Sequence, residues 1–164
     1  MPDHDASDKE DLSPPAHGVL GTPPLPLLPP NPRHDIMALV RGHRGKSGDR
    51  NTMIEPWVDV QQDLDEIMAG NGVVDIHHAT VWIHGRLWGY HPETGRVYPK
   101  SGRGFISMNQ AQYGALRVYA RYNGINALSE RELALSEHLS EDDIALARRV
   151  WRIREAELAR RSTS

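Results

Sequence analysis

Proline most strongly restricts what the first part of this chain can fold into. Nine of the twelve prolines lie within residues 1–32, and they are densest between Thr22 and Pro30. Proline lacks a backbone N–H and biases the preceding residue towards extended conformations, so this stretch cannot form a helix or a central strand. The composition therefore predicts a polyproline II stretch inside a disordered segment that covers residues 1–52.

The predicted disordered segment has two parts, and each part is open to two interpretations. The P-x-x-P spacings, Pro23 to Pro26 and Pro26 to Pro29, are typical of ligands for domains that bind polyproline II helices, but a semi-rigid spacer has the same composition. Residues 41–50 are basic and glycine-rich. They indicate a flexible linker or an arm that contacts nucleic acid.

Residues 53–164 are predicted to form a single α+β domain. An apolar stripe that begins at Trp57 predicts a helix over residues 56–69, with Pro56 in its first turn. Period-two alternation then predicts a small antiparallel β meander over residues 73–99. Because two or three helices follow the meander, strands and helices are segregated along the chain, which is typical of the α+β class.

Three sequence signatures predict where the C-terminal helices begin. In a capping box, the residue at the helix start is followed three residues later by a polar side chain that accepts from its backbone N–H. The signatures are Ser107 with Gln110, Ser129 with Glu132, and Ser140 with Asp143. The last of them begins a predicted helix over residues 141–160.

Composition excludes several classes of protein. The chain contains no cysteine, which excludes disulfides, thiolate metal sites and cysteine nucleophiles. No apolar run approaches the length of about 18 residues that a membrane span needs, and the acidic N-terminus lacks the apolar core of a signal peptide. We therefore expect a cytoplasmic protein without a membrane partner. The motif Asp75-x-His77-His78 has no second ligand cluster, so we expect no metal and no cofactor.

Charge is distributed unevenly although the net charge is only −3. The range Glu55–Asp75 holds six acids and no Lys or Arg, whereas Arg86–Arg121 holds six bases and one acid. Such asymmetry indicates either a basic surface that meets an anionic partner or an acidic helix and a basic segment that neutralise each other within the fold.

The segment Tyr98–Phe105 is the predicted functional site. Its glycines allow the backbone to approach a ligand closely, and a predicted helix N-terminus, which favours anions, follows it. The side chains predicted to bind phosphate, in this segment and one turn apart in the next helix, are Lys100, Arg103, Arg117 and Arg121. The expected partner is RNA or another polyanion. The alternative is that the glycines only permit a tight strand-to-helix turn and the bases are solvated.

Three further side chains are candidates for proton transfer or for transition-state hydrogen bonds, namely His91, Tyr98 and Ser101. RNA cleavage can use the ribose 2′-OH as nucleophile, so a protein need supply only acids, bases and cations. Histidine suits this chemistry because its unperturbed pKa lies near neutral pH. Whether the protein is an enzyme stays open.

The stretch from Trp57 to Tyr122 resembles a pattern of small bacterial proteins with a Tyr-Pro-x-Ser-Gly-x-Gly-Phe turn. The segments that carry it are Trp57-Val58-Asp59-Val60, residues 85–89, Val97 to Phe105, and Gln112-Tyr113-Gly114-Ala115-Leu116. In outline it is similar to the ribonuclease-type toxins of bacterial conflict systems. The resemblance implies a helix before a small sheet, an RNA substrate and, as protein partner, a cognate inhibitor.

Two hypotheses about function follow. The first is a nucleic-acid-directed domain, either RNA-binding or a toxin-like ribonuclease. The second is a non-enzymatic interaction module in which the proline-rich segment and the C-terminal helix recruit a protein partner, such as a domain that binds polyproline II helices.

Overall fold

The computed structural model describes residues 13–39 and 51–163, which form two compact units. The first unit takes in the described residues up to Asn31 together with Trp57–Ile106; the second takes in Pro32–Pro56, as far as described, and the residues from Ser107 onwards. Helices and antiparallel strands are both present, which confirms the α+β class.

The strands are β1 (Val19–Gly21), β2 (Asn51–Ile54), β3 (Gly72–Asp75), β4 (Thr80–Ile83), β5 (Arg86–Tyr90), β6 (Val97–Gly102) and β7 (Phe105–Met108). The α-helices are α1 (Val60–Met68), α2 (Gln110–Arg121), α3 (Ala127–Ala134) and α4 (Glu141–Ser162), with 3₁₀ turns at Pro32–His34 and Ile36–Ala38. None of these helices is long and apolar enough to cross a bilayer.

A five-stranded antiparallel sheet, in the order β1-β3-β4-β5-β6, forms the centre of the first unit. The consecutive pairing of β3 to β6 confirms the predicted meander. Alternate residues point to one face of a strand, so a buried face needs apolar residues at every second position. The buried side chains of this face include Val74, Val81, Trp88, Tyr90 and Val97.

Within the predicted disordered segment, the described residues 19–39 include a short strand and two 3₁₀ turns. Strand β1 pairs with β3, and Leu28 bridges β6 by donating to Gly95 O (2.8 Å) and accepting from Val97 N (3.0 Å). Pro23 and Leu27 are buried. Prolines are tolerated here because an edge strand needs ladder N–H groups on one side only. Residues 1–12 and 40–50, and with them the basic linker, lie outside the described residues.

Helix α1 begins later than predicted. The side chain of Asp59 accepts from Gln62 N (3.0 Å) and caps the helix, whereas Pro56 and Trp57 form a turn before it. The prediction over residues 56–69 is therefore wrong at its N-terminus, because an aspartate cap determines the start more strongly than proline does.

The second unit is built mainly from α2, α3 and α4. Strand β2 pairs with β7, in which the chain passes from the first unit to the second. Helices α2 and α4 pack together, and the fully buried side chains of the unit include Ile36, Met53, Leu116, Tyr119, Leu133, Val150 and Trp151.

The helix starts in this unit confirm one predicted cap and correct two. Ser140 and Asp143 form the predicted box at α4. Helix α2 is instead capped by Asn109 with Gln112, and α3 by Asn126 with Ser129. Asparagine caps a helix about as well as serine, so the two starts were misplaced by two or three residues. The predicted helix over 141–160 is confirmed as Glu141–Ser162.

Candidate nucleic-acid interface

The glycine-containing site segment joins two strands, not a strand and a helix. Strand β6 ends at Gly102, Arg103 and Gly104 make the turn, and β7 starts directly at Phe105. Helix α2 starts only at Gln110. The predicted strand-to-helix turn is therefore wrong, and the helix N-terminus does not follow the glycines directly. The reason is the alternation of Phe105–Met108, which places every second residue in a buried position.

Lys100 lies at an irregularity in the β5–β6 ladder. Leu87 faces Ser101 and the next residue, Trp88, faces Pro99, so Lys100 is the extra residue of a bulge. Pro99 cannot donate to the ladder, which favours a bulge at this point. Bulges redirect side chains, and the side chain of Lys100 is exposed.

Arg103, in the turn after β6, is exposed as well. None of the ion pairs among the described residues includes Lys100 or Arg103. Two cations three residues apart are thus open to an anionic ligand.

The buried carboxylate of Asp63 binds basic side chains of β5 and of the turn before it. Asp63 is 1% exposed. Its Oδ2 accepts from Arg86 Nη1 (2.7 Å) and Trp88 Nε1 (2.8 Å), and its Oδ1 contacts His84 Nδ1 (2.8 Å). His84 Nε2 also lies 3.1 Å from Glu66 Oε1. This part of the acidic helix and of the basic segment is therefore neutralised inside the fold, in line with the second interpretation of the charge asymmetry.

Trp57 is an exposed aromatic side chain that the Arg86 network holds in place. The residue is 55% exposed, and the guanidinium of Arg86 lies 5.5 Å from the ring centroid. Arg86 in turn donates from Nε to Arg103 O (2.9 Å). The indole also packs on Gly104, where an added Cβ would lie 3.0 Å from the Trp57 ring. These contacts hold Trp57 and the turn that contains Arg103 together as one surface.

Sequence reasoning missed Trp57 as a site residue because it placed the side chain in the apolar stripe of the predicted helix. One signal could have found it. Asp59 is a strong N-cap residue, and a tryptophan two residues before a cap lies outside the helix, where a core-facing stripe does not account for it.

Gly104→Ala is expected to destabilise the first unit by about 2 kcal/mol, because the residue has a φ of +86° and a Cβ would lie 2.4 Å from Val58 Cγ2. Urea unfolding followed by tryptophan fluorescence measures the change. Gly21→Ala is the matched control, since nothing lies within 4 Å of its added Cβ, and equal effects of the two substitutions would contradict the prediction.

Of the three proton-transfer candidates, the fold brings two together. The rings of His91 and Tyr98 lie 5.0 Å apart, with Tyr98 covering Gly89 on the neighbouring strand. Ser101 lies three residues further along β6, which is about 10 Å away at the usual rise of a strand. Direct proton transfer needs a separation near 3 Å, so Ser101 cannot act directly with the other two in this conformation.

The four predicted phosphate-binding residues are divided between the two units. Lys100 and Arg103 belong to the first unit, and Arg117 and Arg121 belong to α2 in the second. Arg121 forms an ion pair with Glu132, and this hydrogen bond raises the pKa of Arg121. Each of these two pairs of cations is therefore described within its own unit.

The Asp75–His78 motif forms a local pair. His78 Nδ1 lies 2.8 Å from Asp75 Oδ2, and this hydrogen bond lowers the pKa of Asp75. The part of the chain that the structure describes contains no group of three His, Asp or Glu residues suited to a metal ion.

No family model, curated protein or solved structure matches this chain.

Proposed function

We propose that the first unit binds single-stranded RNA on a surface formed by Trp57, Lys100 and Arg103, here called the Trp57 surface. The observation that carries the proposal is an exposed indole held over a buried guanidinium, next to exposed cations that have no ion-pair partner among the described residues. An aromatic platform beside cations is the usual way in which proteins bind single strands.

The energetics of this surface favour binding of bases and phosphates together. Stacking of one base on an aromatic ring contributes about 1–3 kcal/mol and tolerates any base. Because Arg86 and Gly104 already fix the indole, little side-chain entropy is lost when a base stacks on it. Lys100 and Arg103 then supply phosphate contacts that release counterions.

The observations favour RNA binding over the other hypotheses. Cleavage needs a concerted set of acids and bases, and Ser101 is separated from His91 and Tyr98 along the strand. Binding of the proline-rich segment to a polyproline-recognising partner is disfavoured because Pro23 and Leu27 are buried in the first unit. Binding without cleavage is the function that the geometry supports best.

Trp57→Ala is expected to weaken binding of a fluorescein-labelled oligouridylate by about tenfold or more, since one stacked base is lost. Fluorescence anisotropy at low and moderate salt measures the affinity. The double variant Lys100→Ala/Arg103→Ala is expected to reduce the slope of log K against log salt by about 1.4, which corresponds to two phosphate contacts on a single strand.

Arg152→Gln is the matched control, because it removes one exposed positive charge from α4 in the second unit. It should leave both the affinity and the salt slope near those of the unaltered protein. Absence of binding at low salt, or equal affinity of Trp57→Ala and the unaltered protein, would refute the proposal. Gel analysis of the same RNA, with His91→Ala beside the unaltered chain, shows whether any cleavage accompanies binding.

A further inference from the structure

Helix α3 has a buried face and an exposed face, and the exposed face is mostly apolar. Ser129 and Leu133 are buried in the second unit. The exposed side chains lie on the opposite side of the helix, and this set, here called the α3 stripe, consists of Ala127, Leu128, Arg131, Ala134 and Leu135. Leu128 is 63% exposed and Leu135 is 70% exposed. Because a helix of a soluble protein usually has polar residues on its outer face, this stripe indicates a contact with another molecule.

A groove lies beside the α3 stripe. Its volume is about 460 Å³, and the residues that line it are Tyr122, Leu128, Arg131, Glu132, Leu135 and Ser136. Tyr122 ends α2, so the groove runs between α3 and the end of α2. A groove that has leucine and tyrosine side chains in its walls can accept an apolar side chain of a second molecule.

The spacing of the two leucines favours a helix as the occupant of the groove. Seven residues of an α-helix rise about 10.5 Å, and residues seven apart lie on the same side. A helix that lies along α3 therefore presents its own side chains at the interval that separates Leu128 from Leu135. Side chains on one face of a strand recur about every 6.6 Å, so an extended peptide would match only one of the leucines.

The charges around the groove favour an acidic occupant. Arg131 lies between the two leucines in sequence, and none of the ion pairs in the described part of the chain includes it. Glu132, the acid that lines the groove, is already engaged, because it pairs with Arg121 and accepts from Tyr122 Oη (2.7 Å). A cation that lies among apolar side chains without a counter-charge favours a partner that carries a carboxylate.

A second copy of this chain fits the α3 stripe less well than a different protein. If two copies of α3 packed about a two-fold axis between the leucines, the two Arg131 side chains would lie close together at that axis. Like charges at the centre of an interface oppose association. Glu132 could neutralise the partner's arginine only by sharing the carboxylate that Arg121 already holds.

We propose that the α3 stripe binds an amphipathic helix of a partner protein, in which apolar side chains lie seven residues apart and a carboxylate lies between them. An apolar side chain of the partner enters the groove between Leu128, Leu135 and Tyr122. The carboxylate binds the guanidinium of Arg131, since arginine and carboxylate groups can form two parallel hydrogen bonds. The leucines on either side exclude water from this pair and so strengthen it.

Fluorescence anisotropy of three labelled, alanine-rich helical peptides, measured with the full chain, tests this proposal. The acidic peptide has two leucines seven residues apart and glutamates between them, and the neutral peptide has glutamines in place of the glutamates. In the third peptide one leucine is moved by two residues, so that the leucines lie on different sides of the helix. We expect the acidic peptide to bind about fivefold more tightly than the neutral one, and at least about tenfold more tightly than the third.

Two variants assign the binding to the stripe. Leu128→Ser/Leu135→Ser should weaken binding of the acidic peptide at least about tenfold, because the apolar contacts are lost. Arg131→Gln should bind the acidic and the neutral peptide equally. Since all three side chains are exposed, the melting temperature of both variants should stay near that of the unaltered chain. The matched controls on α4 are Leu158→Ser, at a residue that is 43% exposed, and Arg149→Gln, and both should keep the affinity.

Two results would overturn the proposal. One is the absence of saturable binding of the acidic peptide below about 1 mM, and the other is a preference for the acidic peptide that persists in Arg131→Gln. Self-association of the unaltered chain in sedimentation velocity, if Leu128→Ser/Leu135→Ser abolishes it, would assign the stripe to a second copy and overturn the proposal as well. Trp57 lies in the first unit, so Trp57→Ala should keep the peptide affinity whether or not it binds RNA.

Discussion

Asp63→Ala is expected to lower the free energy of unfolding of the first unit by about 3–5 kcal/mol, which is the usual effect of removing one partner from a buried ion pair. The side chains of Asp63 and Arg86 are 2% and 6% exposed. Removing the carboxylate leaves a buried guanidinium without its counter-charge and the Trp88 Nε1–H without an acceptor. Urea unfolding followed by tryptophan fluorescence measures the loss.

Asp65→Ala is the control for this substitution. Asp65 lies on the same helix, is exposed, and its side chain accepts a hydrogen bond from Gln61 Nε2 (2.9 Å). Its removal should change stability by no more than about 0.5 kcal/mol. Asp63→Leu/Arg86→Met, which replaces both charges by apolar groups, should be less destabilised than Asp63→Ala. Equal destabilisation by Asp63→Ala and Asp65→Ala would show that the buried pair does not stabilise the unit.

Local signals in the sequence were enough to predict the meander and the last helix. Apolar and other residues alternate with a period of two in the strands of the meander, and the turns between the strands contain glycine. Both signals depend only on residues that are close together in the sequence. Helix α4 carries its own capping box at Ser140. Both features can be read within a window of about ten residues, which is why prediction and structure agree there.

The secondary structure of the described residues 19–28 could not be predicted in the same way, because it depends on contacts that are distant in sequence. Leu28 is ordered by Gly95 and Val97, and β1 by β3. Local composition records only that proline prevents helix and central strand. It carries no signal that Leu28 bridges the chain at the start of β6, an edge strand whose backbone groups need partners.

In the candidate site, too, features that depend on neighbouring residues could be predicted, whereas contacts between residues distant in sequence could not. Lys100 and Arg103 were predicted to bind phosphate, which stays a prediction, and the side chains of both residues are exposed. The position of Trp57 could not be predicted because it depends on a contact with Arg86, which lies on a strand after the helix and is held by Asp63. The charge asymmetry of the sequence allowed either a basic surface for an anionic partner or neutralisation within the fold, and it did not identify which pair is buried and which cations stay on the surface.

The stability of the second unit is expected to fall by about 3 kcal/mol between pH 6.5 and pH 4 through His34 alone. His34 is 5% exposed and its Nδ1 lies 2.8 Å from Thr52 O. Burial lowers the pKa of His34 from 6.5 to about 4; the hydrogen bond to Thr52 opposes this shift and the charge of Arg33 adds to it. The unfolded chain therefore binds a proton at pH values where the folded chain does not. Stability is complete above pH 6.5, is lost as pH falls, and is about 2 kcal/mol lower at pH 5.

Urea unfolding followed by far-ultraviolet circular dichroism at pH 7, 6, 5 and 4.5 measures this loss, since α2, α3 and α4 belong to the unit that contains His34. The lowered pKa values of Asp75, Glu132 and Glu157 contribute stability that is lost only below their ordinary values of 3.8 to 4.5, outside most of this window. His34→Gln should flatten the dependence between pH 6.5 and 4.5, whereas His77→Gln, which removes an exposed imidazole, should keep it. A slope that persists in His34→Gln would assign the titration to another group, and would mean that the imidazole does not stay neutral in the folded chain.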